Sequence, residues 1–361
     1  MKVEVLVVGA GPAGSCAAKE IAEAGFEVLA LDRRAEIGYP VQCGEFLPTP
    51  EEFRRIFPQS EEYGDLFDIE PGIVERETNE IEINGPRGLK HSLNFQGMTI
   101  DRRRFDKSLW QRAEKAGARL MTGVEFLRLS SSNCAETTVG EIEFKLLVGA
   151  DGPLSKIRKS LGLEGPKAIS QAITTQTRGE WDNLVRMYFG SIAPGGYAWI
   201  IPKRGGANIG LGIQRKFVKG SLSTLLQQFL EENRISSGET TYGQVPISGP
   251  IPRTTKGNAI LVGDAAGQVM ATNGGGIPIA MICGRICGRC IAGTVRGSGA
   301  LSDYEREWRR QLLTPLRNAA RTKAIADLFF PTDRRLRFAM KVLGSGGMER
   351  AILCKRLFHL L

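Results

Sequence analysis

The feature that most constrains this chain is the stretch from Val3 to Asp32, VEVLVVGAGPAGSCAAKEIAEAGFEVLALD. Val3, Val5, Leu6, Val7 and Val8 form a nearly unbroken apolar run, the pattern of a strand buried on both faces. Gly9-Ala10-Gly11-Pro12-Ala13-Gly14 follows without a spacer. Cys16, Ala17, Ala18, Ile21 and Ala22 then recur at helical spacing up to Gly25. A second apolar run, Val28 to Leu31, ends in Asp32. Strand, glycine turn, helix, strand and acid in this order make the dinucleotide-binding fingerprint in the context it requires. Gly9 allows the tight turn, Gly11 lets backbone approach a pyrophosphate, and Gly14 lets the helix pack on the strand. Pro12 and Ala13 open the helix, whose free N–H groups and positive dipole end favour phosphates. Asp32 can accept from a ribose hydroxyl, and Arg33 beside it joins the expected cofactor-binding set.

At 361 residues the chain has room for two domains and a substantial core. With 42% hydrophobic and 24% charged residues it reads as a globular protein, and its 44 glycines fit many close-approach turns. A net charge of +9 suits nucleic acid, anionic lipid or a phosphorylated substrate. No aromatic-and-basic RNA motif or zinc-finger spacing is present, so nucleic acid is not an expected partner. A strand opening at Val3 leaves no place for a signal peptide. No run of about 18 apolar residues is evident, so no bilayer-spanning segment is expected. Seven scattered cysteines, an odd number, point to a reducing cytosolic compartment. With two histidines, His91 and His359, neither a His-based triad nor a metal site is expected.

Further along, Arg33 to Phe53 is loop-like, with Pro40, Pro48 and Pro50 keeping it irregular and Cys43-Gly44-Glu45 at its centre. Ile69 to Phe95 carries a hairpin, Glu80–Ile83 against Leu89–Leu93, turning at Asn84–Gly88, with His91 as a strand-face residue. Thr99 to Ala116 reads as a helix capped by Asp101, Ala118 to Val124 as a strand, and Glu141 to Val148 as a strand entering Gly149-Ala150-Asp151-Gly152. Val185–Gly190, Tyr197–Pro202, Ala207–Ile213 and Thr240–Val245 read as antiparallel strands, with a helix over Leu222–Leu230 across one face. Asn258–Val262 leads to Gly263-Asp264-Ala265-Ala266-Gly267. Asn273-Gly274-Gly275-Gly276-Ile277-Pro278 opens another helix. From Leu301 the chain is helical and basic. The expected fold class is therefore α/β plus α+β: a Rossmann-like FAD/NAD(P)-binding domain with an inserted antiparallel-sheet substrate domain and a C-terminal helical segment. Its expected divisions are 1–75, 99–162 and 256–300 for the dinucleotide domain, 76–98 and 163–255 for the inserted sheet, and 301–361 for the tail.

Three motifs in this order, GAGPAG with its acid, GADGPLS and GDAAGQ, resemble those of the flavoprotein monooxygenase superfamily, whose members hold FAD. The resemblance implies FAD contacts at Gly9, Gly11, Gly14 and Asp32, at Asp151 and Gly152, and at Gly263 and Asp264, the last reaching the ribityl chain. Arg102 looks like the arginine that follows the inserted hairpin and reaches the cofactor. Within the superfamily, Pro40-Val41-Gln42-Cys43-Gly44-Glu45, the strand Gly196–Pro202 followed by Asn208-Ile209-Gly210-Leu211-Gly212, and Asn273–Ile277 are similar to the geranylgeranyl reductase family. That family saturates double bonds of prenyl chains, so the resemblance implies a prenyl-lipid substrate, above all digeranylgeranylglycerophospholipid of archaeal membrane lipid synthesis. The match spans about residues 1 to 300. Ala271-Thr272-Asn273 departs from many relatives, and the chain is short for the family.

Such a reduction takes hydride from the reduced flavin to one carbon and a proton to the other, in a dry pocket. Tyr188, Phe189, Tyr197, Trp199 and Ile201 are expected to wall that pocket, although plain sheet core accounts for any one of them. Cys43, Glu45, Tyr197 and Tyr39 are the candidates for proton delivery or polar contact, with Cys43 and Gly44 lining the flavin. Gly275, Gly276 and Ile277 would bring backbone N–H groups to the flavin's pyrimidine end. Cys283, Cys287 and Cys290 have cluster-like spacing, but on a helix beside Gly284 and Gly288 they read as small packing residues against a sheet. Tyr197 to Pro202 approaches a halogenase signature without its first tryptophan. The alternatives are an aromatic monooxygenase or halogenase, and a non-catalytic FAD-binding prenyl-lipid carrier. Electrons would come from ferredoxin, a reduced deazaflavin or NADPH. The tail, with Arg334, Arg335, Arg337, Lys341, Lys355 and Arg356 among Leu336, Phe338, Met340, Leu343, Leu357 and Phe358, reads either as a membrane-surface helix or as a helix docked on the core. The expected location is the cytoplasm, with peripheral attachment to the inner face of the membrane.

Overall fold

A strand as apolar as Lys2–Val8 cannot meet water on either side, and the structure, a computed structural model describing residues 1–61, 64–218 and 220–357, buries it at the centre of a parallel sheet. It lies between Gly140–Gly149 and Val28–Asp32, parallel to both. The sheet order is Thr255–Lys256, Ala259–Leu261, Gly140–Gly149, Lys2–Val8, Val28–Asp32 and Arg119–Thr122. An antiparallel pair, Phe126–Ser131 and Cys134–Thr137, joins it through Gly140–Gly149 and was not expected from the sequence. The helix Pro12–Glu23 packs beside the sheet, and the helix Ile277–Val295 packs on that helix.

Small residues set this helix–helix approach. A Cβ on Gly284 would stand 2.1 Å from the Ala13 carbonyl oxygen, and one on Gly288 2.8 Å from that of Ala17. Cys283 and Cys287 are fully buried on the same helix, on the side of Tyr304. The cysteine spacing thus marks a face packed on helices, where the sequence pattern predicts a sheet. Among the described residues, Ile277–Val295 is also long and apolar enough to cross a membrane by length and composition, and 72% of its apolar window lies inside the protein. The sequence reading of no such run is corrected here. Ile279, Ile282, Ile286 and Ile291 carry much of this helix's hydropathy and are buried in the core, while its glycines let it pack closely on a neighbouring helix.

Among the described residues the second sheet has eight strands, in the order Thr240–Pro246, Ile169–Arg178, Gly206–Ile213, Tyr197–Lys203, Leu184–Tyr188, Val74–Gly85, Leu89–Ile100 and Phe46–Pro48. It is antiparallel except where Leu184–Tyr188 runs parallel to Val74–Gly85. Ile169–Arg178 is paired on both sides, second from one edge, yet escapes sequence reading, because Ala172-Ile173 breaks the alternation of a two-faced strand. Helix Leu222–Glu232 begins at Ser221, whose hydroxyl accepts from the Thr224 N–H at 3.1 Å, and covers the outer face. Leu222, Leu226 and Phe229 pack there on Ile173, Ile200, Ile209 and Leu211.

The architecture is the expected one, with shifted edges. The hairpin runs to Ile100, so the next helix is Arg102–Lys115, with Asp101 accepting from the Arg104 N–H at 3.0 Å. The Arg33–Phe53 segment is more regular than its prolines predict. Pro48 ends an edge strand, and Pro50 sits in the first turn of helix Pro50–Ile56, both places where a missing N–H is harmless. The C-terminal part forms helices Ser302–Ala326 and Asp333–Ile352, the latter broken at Gly344 with φ +59°. His91 lies on its strand, its Nδ1 3.1 Å from the Ser345 hydroxyl. His359 and Phe358 lie outside the described residues.

Candidate active site between the two sheets

On the nucleotide side the glycines divide by task. A Cβ on Gly9 would stand 2.2 Å from the Ala150 carbonyl oxygen and one on Gly14 1.8 Å from that of Gly9, so protein packing alone demands both. Gly11 differs: its φ is −73°, and a Cβ there would meet nothing within 4 Å. The protein's own packing does not need glycine at this position, which is where the dinucleotide fingerprint keeps one for close backbone approach. Gly11 caps helix Pro12–Glu23 with no side-chain cap, which leaves its first N–H groups to an anion.

Two carboxylates nearby point the same way. Asp264 is pushed up to about 6 by burial, against the pull of Arg102, and its carboxyl takes no hydrogen bond among the described residues. Asp151 is raised by burial too; its Oδ2 accepts from the Ile157 N–H at 3.1 Å while its buried Oδ1 has no partner. Acceptors left without a protein donor in this way fit a hydroxyl-rich chain that donates to them. Gly276 lies beside Asp264, its would-be Cβ 3.4 Å from Oδ1, and caps helix Ile277–Val295, again with no side-chain cap. Gly263 stands in the same turn at φ +62°, against Ala13.

Asp32 is already engaged. It accepts from the Ala10 N–H at 2.9 Å and from the Arg34 guanidinium at 2.9 and 2.8 Å. Burial raises its pKa, but the Arg34 bonds outweigh that and hold it below the usual carboxylate range. Arg34, not the exposed Arg33, is therefore the residue on the acid. The sequence shows two adjacent arginines and no way to choose between them.

The other wall is built around Glu45. Its Oε2 accepts from Gln176 Nε2 at 2.7 Å, from Lys203 Nζ at 2.9 Å and from Asn208 Nδ2 at 2.9 Å. Its Oε1 accepts from the Arg102 N–H at 3.3 Å. Asn208 is fully buried: its other Nδ2 bond goes to the Cys43 carbonyl at 2.9 Å, and its Oδ1 accepts from Trp199 Nε1 and the Thr174 hydroxyl, both at 2.8 Å. An asparagine inside the apolar strand ANIGLGI is a flag for such a network, since a buried amide must be satisfied. Gln176 and Lys203 carried no comparable signal.

This clamp fixes the loop that presents Cys43. The Cys43 sulfur accepts from Arg102 Nη1 at 3.0 Å and from the Glu45 N–H at 3.2 Å, and Arg102 is held by a two-pronged pair with Asp106 at 2.9 Å on each arm. Burial pushes the Cys43 thiol up, opposed by the Arg102 charge, so it is a thiol at neutral pH. A Cβ on Gly44 would stand 2.9 Å from Ile201 Cδ1 and 3.6 Å from Trp199 Nε1, so Gly44 lets this loop close on the sheet.

Tyr197, Trp199 and Ile201 share the inner face of their strand, as alternation requires. Gly212 and Gly210 stand opposite the first two, and a Cβ on Gly210 would meet Trp199 at 2.5 Å, so the ring lies flat only over glycine. Phe189 joins them, its ring 5.6 Å from that of Tyr197.

Three expectations are corrected. Tyr188 points to the outer face, its ring edge-on to Phe229 at 5.1 Å, because its register partner is Ala198 rather than Trp199. Tyr39 is on the surface, its hydroxyl donating to Glu239 at 3.2 Å. Glu45 is saturated by donors and buried, which suits a clamp and not a proton donor. Tyr197 keeps its place, but its hydroxyl donates to the Asn273 carbonyl and burial pushes its pKa up, so it ties the glycine loop to the sheet.

A parallel sheet with an anion-ready glycine turn, facing an antiparallel sheet with an aromatic wall, defines a flavin-dependent oxidoreductase. Residues 7–67 match the model of an NAD(P)-binding Rossmann-like domain, and residues 167–244 that of the geranylgeranyl reductase catalytic domain. The chain is 35% identical over 334 residues to a digeranylgeranylglycerophospholipid reductase of Methanocaldococcus jannaschii, covering 85% of this chain and 82% of that one. A second such reductase, of Methanothermobacter thermautotrophicus, is 34% identical and covers 91% and 88%. A geranylgeranyl bacteriochlorophyll reductase-like protein of Thermoplasma acidophilum superposes with a TM-score of 0.81 at 25% identity, over 94% of this chain and 91% of that one. A probable FAD-dependent monooxygenase of Pseudomonas aeruginosa, at TM-score 0.70 and 15% identity over 94% and 100%, shares the fold. The chain belongs to the geranylgeranyl reductase family.

Proposed function

We propose that this enzyme uses FAD to saturate prenyl-chain double bonds of digeranylgeranylglycerophospholipid. One observation carries the substrate class: the polar groups of the inner sheet face at Gln176, Lys203 and Asn208 are consumed by Glu45 and Cys43, and what remains beside Cys43 is Trp199, Tyr197, Ile201 and Phe189. A hydrocarbon chain suits that wall and a polar aromatic ring does not, which disfavours the monooxygenase and halogenase alternatives.

When bound, reduced FAD supplies hydride to one carbon of the double bond. Gly11 and the open N-terminus of helix Pro12–Glu23 would hold its pyrophosphate, and Asp264 and Asp151 would accept from its hydroxyls. Asp32 with Arg34 would hold the ribose. The protein's own chemical contribution is a proton at the other carbon, and Cys43 Sγ–H is the group we assign to it. The thiol is protonated, half-exposed and oriented by two donors to its sulfur. Solvent then restores its proton. Electrons are proposed to come from an external donor (ferredoxin, a reduced deazaflavin or NADPH), and the site of work is proposed to be the cytoplasmic face of the membrane.

The test is anaerobic. The flavin is reduced with dithionite, digeranylgeranylglycerophospholipid is added, and reoxidation is followed with product mass. Gain of hydrogen pairs with reoxidation is expected. A flavin that stays reduced until air enters would transfer the weight to an oxygen-using reaction.

A further inference from the structure

The tail is amphipathic in sequence, but its obvious apolar side is already used. Leu336 and Met340 turn inward, Met340 against Gly85 of the hairpin. The outward face of the same helix follows a 3.6-residue period through Arg334, Arg335, Phe338, Lys341 and Val342. Phe338 and Val342 are each 65% exposed, and Leu328 just before the helix is 68% exposed. Large apolar side chains at this exposure, grouped on one face, need a reason. A groove of about 530 Å³ runs between Leu328 and Phe338, lined also by Phe329, Thr332, Arg334 and Arg335.

Charge decides the occupant. Arg334, Arg335 and Lys341 make no side-chain hydrogen bond or ion pair among the described residues. Both acids of the helix are turned away: Asp333 accepts from the Ser191 N–H and hydroxyl at 2.8 and 2.9 Å, and Glu349 from Arg55 at 2.9 Å. The face is therefore apolar at its centre, cationic at its rim and free of acids. We infer that Leu328, Phe338 and Val342 insert into an anionic phospholipid bilayer while Arg334, Arg335 and Lys341 bind its headgroups.

The position of the helix gives this docking a use. Asp333 anchors its start to the loop after Phe189, and the Ile352 carbonyl accepts from Asn273 Nδ2 at 3.4 Å near its end. Phe189 packs on Tyr197, and Tyr197 donates to the Asn273 carbonyl. The helix thus spans the two loops that frame the aromatic wall. Docking its outer face brings the wall to the bilayer that holds the prenyl chains. This use rests on the lipid-reductase reading; the docking itself does not.

Full-length flavin-loaded protein is sedimented with vesicles of phosphatidylcholine alone and of phosphatidylcholine with a third phosphatidylglycerol. Binding to the anionic vesicles only, weakening with salt, is expected. Replacing Arg334, Arg335 and Lys341 by Gln lowers affinity roughly a hundredfold, at the usual contribution of a basic residue near an anionic surface. The Phe338→Asp/Val342→Asp variant lowers it at least as far. All these side chains are exposed, and unchanged flavin absorbance and melting temperature confirm the fold. Turnover on detergent-dispersed lipid stays at the parental rate in both variants. Equal sedimentation of parent and variants, or none by the parent, overturns the inference. So does a parent dimer that the variants dissolve while no form binds vesicles, which would make the face a self-association surface. Absence of detergent turnover in every form would sink the reductase reading alone and leave the vesicle result standing.

Discussion

The two walls of the site treat their polar groups in opposite ways. On the nucleotide wall, among the described residues, the Asp264 carboxyl takes no hydrogen bond and the buried Asp151 Oδ1 has no partner, two helices open without side-chain caps, and Gly11 leaves room no protein atom needs. On the sheet wall, Glu45 has four donors and Asn208 uses both ends of its amide. The difference teaches what each wall is for. A wall that must grip a polar ligand keeps hydrogen-bonding capacity in reserve, at some expense in stability. A wall that must hold a hydrocarbon spends that capacity internally, which shapes the loops and leaves apolar surface.

The largest test of the contrast removes the clamp. Glu45→Ala leaves Lys203, 15% exposed, and the buried amide of Asn208 without their shared partner and should destabilise the protein by about 2–4 kcal/mol, read from urea midpoints. Next come two glycines of one motif. Gly14→Ala forces a Cβ into the Gly9 carbonyl and should cost about 3 kcal/mol or more. Gly11→Ala should leave the melting curve of the flavin-free protein unchanged and yet strip flavin from the purified enzyme. If the two behaved alike, the division between packing and ligand glycines would be wrong. Cys43→Ala should slow reduction of the double bond roughly a hundredfold in single-turnover traces while stability changes little.

Smaller effects sharpen the picture. Asp264 titrates at about 6 in the fold against 3.8 in the unfolded chain, so the fold holds a proton that the unfolded chain has lost in that window. Stability of the flavin-free protein should therefore fall as pH rises from about 4 to 6, by roughly 1–3 kcal/mol, and Asp264→Asn should flatten that slope. Smallest is Tyr197→Phe, which loses the bond to Asn273. It should cost about 1 kcal/mol of stability and less than tenfold in rate. A loss of several hundredfold there would make Tyr197 the proton donor and displace Cys43.

The nucleotide wall was almost wholly legible in the sequence. Its elements are local: a buried strand, a glycine turn and a helix lie within thirty residues, and periodicity with glycine spacing reports them directly. The three motifs named Asp151 and Asp264, and the inserted-sheet strands named Tyr197, Trp199 and Ile201 as wall residues, although without separating them from Tyr188. Errors gathered where a side chain's meaning depends on a distant partner. Tyr188 lies one register step from Trp199 and so turns to Phe229, 41 residues further along. Glu45 looked like an acid for catalysis because Gln176, Lys203 and Asn208 reach it from strands more than a hundred residues away. The tail looked like one amphipathic helix, and only its docking on the hairpin showed which apolar residues stay outside.

By itself, then, the sequence determined the class of fold, the glycine-turn strand–helix unit and the family, because hydrophobic period, turn chemistry and motif order are properties of short stretches. Only the tertiary structure decided which arginine meets Asp32, that Glu45 is a clamp, and that Phe338 and Val342 are exposed. Those facts follow from sheet register and long-range packing, where a shift of one residue sends a side chain to the opposite face.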